Sequence, residues 1–129
     1  MTITIKDETF AGKVLQELSL EFISETVSVE DIITQRVLQE VDRYNRKLPE
    51  YFNGLIEPSE AEKTINGYKL KPKKLIDGEK QVYTALNAFQ KNGFFVLIDN
   101  MQAESLNQTV ELIKSTTVSF VKLTPLIGG

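Results

Sequence analysis

The chain contains no cysteine and no histidine. Without cysteine it carries no thiol nucleophile, no disulfide, no thiolate metal site and no thioester of its own. Without histidine it lacks the commonest general acid or base and the commonest metal ligand. An enzyme built on this sequence would have to work with Asp, Glu, Lys, Ser or Tyr. The expectation is a binding or carrier protein and not an enzyme, with no catalytic residue, no metal and no cofactor. Long apolar runs are missing too. No stretch approaches the roughly 20 residues that cross a bilayer, and the N-terminus has no basic stretch followed by an apolar one. A strong charge of either sign is also absent: the net charge is -3, so nothing steers the chain to nucleic acid or to an anionic membrane. These absences together point to a cytoplasmic protein with neither membrane nor nucleic acid among its partners.

What is there is ordinary in bulk. The 129 residues, 41% apolar and 26% charged, suit one domain with a core large enough to need no staples. There is no internal repeat and no low-complexity segment.

The local patterns are more informative. Met1 to Lys6 alternates, with Ile3 and Ile5 on one side and Thr2, Thr4 and Lys6 on the other, which predicts a half-buried strand. Asp7 to Lys13, containing Gly12, reads as a turn. Val14 to Phe22 predicts a second strand, with Leu18, Leu20 and Phe22 at period two, forming a hairpin with the first. Ser28 is a good N-cap, followed by Glu30 and Asp31 at the positive end of a helix dipole. Val29, Ile33, Val37, Val41 and Tyr44, with Ile32 beside them, recur at helical spacing. This helix is expected to stop before Pro49.

Residues 48–76 are punctuated by Pro49, Asn53-Gly54, Pro58, Asn66-Gly67 and Pro72. Tyr68 to Leu75 reads either as a short exposed strand or as an extended arm. Asp77 caps a second predicted helix, with Val82, Leu86 and Phe89 as its buried stripe, Ala85 beside them, and Asn92-Gly93 at its end. Phe94 to Ile98 is a continuous apolar run, the pattern of a strand buried on both sides. Asp99-Asn100 is a turn. Ser105 to Ile113 reads as a short strand plus a helical turn, and Thr116 to Val121 as a β-branched strand with Val118 and Phe120 inward. In that register Val121 faces out and Lys122 to Gly129 form an exposed, flexible tail. The other register would place Lys122 in the core, where an unpaired charge is expensive.

The order of hairpin, long helix and further strands, ending in Gly-Gly, resembles the ubiquitin-like β-grasp family. Met1 to Lys6 looks like that family's first strand, Thr9 to Lys13 like its Gly-Lys hairpin turn, and Thr26 to Ile33 like the start of its long helix. Phe95 to Asn100, the weak segment to Ile113, and Thr116 to Gly129 follow the family's C-terminal order, as in bacterial ubiquitin-like proteins. The resemblance implies an α+β fold with a mixed sheet around one long helix, as one domain over residues 1–129. Two features depart from it. Residues 47–93 have no counterpart and read as a helix-containing insertion between the helix and the third strand, packed outside the main unit. The tail lacks the arginines found in ubiquitin's, which implies a dedicated activating partner.

The resemblance also implies a function. The chain would be a protein modifier, activated at its C-terminal Gly128 and Gly129 by a separate enzyme that binds ATP, then passed by a conjugating enzyme to lysines of target proteins, with an isopeptidase reversing the link. Glycine suits a reacting end that threads a narrow channel, because it has no Cβ. Pro125 would stiffen the arm, and Thr124, Pro125, Leu126 and Ile127 would be read by the activating enzyme, the last two suiting an apolar groove. Phe10, Leu97 and Val121 would form an apolar partner patch on the sheet, or else belong to the core. Two alternatives share the fold: a sulfur carrier ending in a thiocarboxylate, and a non-conjugated interaction module. The basic run Lys69, Lys71, Lys73 and Lys74 reads as a solvated strand edge. Asp99, Glu104 and Glu111 read as solvated surface, since the sequence holds no metal-ligand spacing.

Overall fold

Ile3, Ile5, Val118 and Phe120 share a parity on their strands, and all four are fully buried. That shared phase sets the architecture. The computed structural model describes the backbone of residues 1–54 and 75–122, and the side chains of residues 1–46 and 75–122. Over these residues the protein is α+β, with β1 (Thr2–Thr9), β2 (Val14–Glu21), β3 (Thr26–Ser28), α1 (Val29–Gly54), α2 (Gly78–Gln90), β4 (Phe94–Ile98), β5 (Met101–Gln102), β6 (Thr109–Glu111) and β7 (Thr117–Lys122). The main sheet is mixed, in the order β2-β1-β7-β4-β5. β1 and β7 run parallel, from Thr4 opposite Thr117 to Thr9 opposite Lys122; the other pairs are antiparallel. A small second sheet joins β3 to β6. No helix among the described residues is long and apolar enough to cross a membrane.

The start of α1 is where its sequence signals place it. Ser28 Oγ accepts from Asp31 N–H at 3.0 Å, and Asp31 Oδ2 accepts from Ser28 N–H at 2.9 Å. This is a reciprocal capping box with a shorter acid than usual. Val29, Ile32, Ile33, Val37 and Val41 are buried against the sheet. The helix does not stop before Pro49: its backbone continues to Gly54. A proline inside a helix forfeits the one ladder bond that its missing N–H would make to residue 45, so the helix can persist around it.

The second helix departs from expectation in its place. Asp77 caps it as predicted, accepting from the Glu79 and Lys80 amides. It does not pack outside the main unit, however. Ala85 and Phe89 are buried in the same core as Ile5 and Val96, with Val82 and Leu86 packed against it. The Phe89 ring lies 5.9 Å from that of Phe94, which lies 6.1 Å from Phe120, within the range of favourable aromatic contact. The chain rejoins α1 through Asn45, whose side-chain amide accepts from Ile76 N–H at 2.8 Å and donates to Ile76 O at 3.1 Å. At the far end Asn92 takes the left-handed conformation. Gly93 is required for closeness: a Cβ there would lie 3.2 Å from the Ala88 carbonyl oxygen.

Three further strand assignments are corrected. Phe94 and Val96 are buried but Phe95 and Leu97 only half so, because no layer covers the outer side of β4 among the described residues. Asp7 lies within β1 and not in a turn, and it is fully buried. Phe120 faces in and Val121 out as expected, but β7 continues through Lys122, so alternation turns that side chain inward, 14% exposed, beside the counter-charge of Asp7. Ser105 to Ile113 holds the expected short strand, β6, but a simple turn at residues 106–107 where the helical turn was expected. The remainder of the expected tail and the segment from Tyr68 to Lys74 lie outside the described residues.

Val37 tests the helix assignment. It is fully buried on the face of α1 that meets the sheet. Replacing it with Asp should destabilise the fold by several kcal/mol, the cost of an unpaired charge in an apolar core, read as a fall in the circular-dichroism melting temperature.

Candidate functional site

The hairpin turn holds Phe10 out over the sheet. Thr9 N–H donates to Lys13 O at 2.8 Å, Gly12 N–H to Thr9 O at 2.9 Å, and Lys13 N–H to Thr9 Oγ1 at 3.1 Å. Gly12 sits at φ 90°, a conformation that side chains with a Cβ rarely adopt. Phe10 at this tip is 71% exposed, which is a costly place for a ring without a partner.

Register then assembles its neighbours. Glu8 lies opposite Val121 and Val121 opposite Phe95; Lys6 lies opposite Ser119, Ser119 opposite Leu97, and Leu97 opposite Gln102. These residues share the outer face because side chains alternate along each strand. A shallow open groove results, with Phe10, Phe95, Leu97 and Val121 as its apolar lining and Glu8 and Gln102 among its polar residues. The structure thus brings Phe10, Leu97 and Val121 to one surface. It adds Phe95, which a doubly buried strand would have hidden. Gly128 and Gly129, with Thr124, Pro125, Leu126 and Ile127, lie outside the described residues. β7 ends at Lys122, one residue past Val121 of this groove.

Asp99, Glu104 and Glu111 line a different open groove. Asp99 is committed locally, its Oδ1 accepting from Thr117 N–H at 2.9 Å. Among the described residues no three groups come together as metal ligands.

Behind the groove, on the inner side, lies a charged cluster that the sequence patterns did not reveal. Asp7 Oδ2 accepts from Arg36 Nη2 at 2.6 Å and from Gln16 Nε2 at 2.5 Å, and Lys122 Nζ lies 3.4 Å away. Arg36 also donates through Nη1 to Glu40 at 3.1 Å, one turn along α1. Asp7 and Arg36 are 0% and 1% exposed. Burial by itself pushes the Asp7 carboxyl up. The Arg36 hydrogen bond and charge, the Gln16 amide and the Lys122 charge together outweigh it and hold the carboxyl below its ordinary 3.8. The signal was present in outline. Asp7 continues the inward parity of Ile3 and Ile5, Lys122 that of Val118 and Phe120, and Arg36 sits one residue before Val37 and three after Ile33.

Two outcomes follow from this cluster. Arg36→Met should destabilise by about 3–5 kcal/mol, since it leaves a buried carboxylate short of its main cation. Asp7, with its native pKa lowered, contributes stability that is complete above its unfolded value and is lost as pH falls through the native one. Urea melts of wild type and Asp7→Asn should therefore differ most near neutral pH, and the difference should shrink progressively as pH falls below about 3.8.

Comparison with protein-family models, with curated proteins and with solved structures finds no match to this chain.

Proposed function

We propose that the chain is a ubiquitin-like β-grasp protein that serves as a protein modifier, joined to target amines through Gly129. The observation that carries this reading is the sheet order β2-β1-β7-β4-β5, with the first and last strands parallel at its centre and α1 packed across it. It is supported by the apolar groove beside the point where the chain leaves β7 toward Leu126, Ile127, Gly128 and Gly129.

The chemistry is that of an activated carboxylate. On a separate activating enzyme, the free carboxylate of Gly129 attacks the α-phosphate of ATP and pyrophosphate leaves. A thiol of that enzyme then displaces AMP to give a thioester, since the chain has no cysteine of its own. A conjugating enzyme delivers the acyl group to a lysine amine, the thiol leaves, and an isopeptide bond remains for an isopeptidase to cut. Thr124, Pro125, Leu126 and Ile127 are the residues for the activating enzyme to read. Gly128 and Gly129 pass where a Cβ would not. The groove at Phe10, Leu97 and Val121 serves recognition by later partners. It favours one second reading, an interaction module that uses the groove without conjugation.

The test is incubation with ATP and an activating enzyme of the ubiquitin-activating kind, followed by intact-mass measurement. Wild type should form the enzyme thioester and then an adduct on a lysine. Gly128→Val should melt at the wild-type temperature and form no adduct. Gain of sulfur in place of oxygen would instead mark a sulfur carrier, and an unchanged wild-type mass would favour the interaction module.

A further inference from the structure

Three open grooves meet around β5. The first is the groove of Phe10, Leu97 and Val121. The second runs between the end of α2 and the chain after β5, over Phe89, Phe94 and Leu106. The third follows β5 and β6 and holds the exposed Met101. Gln102 borders all three, Phe95 the first two, and Glu104 the last two. The grooves therefore form one connected surface. Its apolar floor, beginning at an exposed ring, has the character of a contact face.

The charges on that surface have one sign. Glu8 stands in the first groove, Glu104 in the second, and Asp99, Glu104 and Glu111 in the third. No lysine or arginine among the described residues lines any of the three. The chain as a whole carries 15 basic and 18 acidic side chains, so the bias comes from placement and not from composition. Glu8, Glu104 and Glu111 form no ion pair among the described residues. Nearby cations are directed elsewhere or stand outside. Lys6 lies opposite Glu17 on β2, and Lys122 is turned inward to Asp7. Lys13 and Lys91 adjoin lining residues in sequence but line no groove. Uncompensated carboxylates around a concave apolar surface focus a negative potential there.

We propose that this surface docks a basic protein segment, whose aliphatic side chains cover the Phe10 groove while a lysine or arginine reaches past Gln102 to Glu104. Such a side chain suits both features, since its alkyl stem lies on the apolar floor and its charged head meets the carboxylates. An acidic segment would face like charges, and a wholly apolar one would desolvate the carboxylates without a counter-charge. A second copy of the chain meeting this face with its own would oppose acid to acid. The inference rests on the groove being a recognition surface, which the modifier and the interaction module share, and it requires no conjugation of Gly129.

The experiment uses the full chain and three synthetic peptides of equal length, built from alternating leucine and lysine, leucine and glutamate, or serine and lysine. Fluorescence anisotropy reads binding, and backbone amide NMR shifts read its place. The leucine–lysine peptide should bind and shift the amides of Phe95, Leu97, Gln102 and Glu104. The other two should bind at least about tenfold more weakly. Raising salt from about 50 to about 500 mM should weaken the leucine–lysine complex. Phe10→Ala and Glu104→Lys should each weaken it about tenfold and melt at the wild-type temperature. Glu21→Lys makes the same charge change on β2, at the opposite edge of the sheet, and should leave binding within about twofold.

Equal binding of either control peptide would overturn the proposal. So would an equal loss in Glu21→Lys and Glu104→Lys, which would mean attraction to the chain's overall charge, or amide shifts confined to other surfaces. A dimer of the chain whose dissociation on dilution shifts these same amides would overturn it by making a second copy the occupant. Neither ATP nor an activating enzyme takes part, so failure here leaves the modifier reading standing, and failure of the intact-mass test leaves the docking surface to be decided by these measurements.

Discussion

β1 and β7 lie side by side at the centre of the main sheet, parallel, with Thr4 against Thr117 and Thr9 against Lys122. Each is the other's only neighbour on one side, so the hairpin partner β2 and the β4–β5 pair are joined through this contact. The pairing closes a long loop of chain, and the entropy of that closure has to be met by burial. The inward residues of both strands meet it: Ile3 and Ile5 with Val118 and Phe120, under Ile33 and Val37 of α1. A slip of one residue in this register would turn every one of these side chains to the opposite face.

The same register makes the two faces chemically different at one end of the sheet. Outward, it gathers Val121, Phe95 and Leu97 beneath the exposed Phe10. Inward, it ends the apolar column in Asp7 and Lys122. The groove and the charged cluster are thus two sides of a single pairing, separated by the thickness of a strand. An apolar groove on one side asks for a partner. The ion pair on the other side holds the strand end that presents it.

Buried charges are poor sources of net stability, because desolvation offsets most of their attraction. The cluster fits that description. Asp7 Oδ1 and Arg36 Nε are buried without a protein hydrogen-bond partner among the described residues. What the cluster supplies is a specific arrangement. Arg36 can satisfy Asp7 only when α1 crosses β1 at one point, so the pair fixes the helix on the sheet more narrowly than interchangeable aliphatic contacts would.

Local pattern determined much of this protein. The alternation of Ile3 and Ile5, the Ser28 cap, the 3.6-residue stripe from Val29 to Val41, the Asp77 cap and the Asp99-Asn100 turn were all legible, since each is enforced by interactions within a few residues of chain. Phe10, Leu97 and Val121 were legible as a candidate patch through resemblance alone. Only the tertiary structure decided the rest. It drew Ala85 and Phe89 into the main core, exposed the outer side of Phe95, carried α1 past Pro49, and buried Asp7, Arg36 and Lys122 together. A helical stripe shows which side is apolar but not what it will meet, and a charged residue in phase with apolar ones looks like the end of a strand until its counter-charge arrives from a distant element. Asp7, Arg36 and Lys122 come from the first strand, the long helix and the last strand, and pairing across such separations leaves no periodic trace in the sequence.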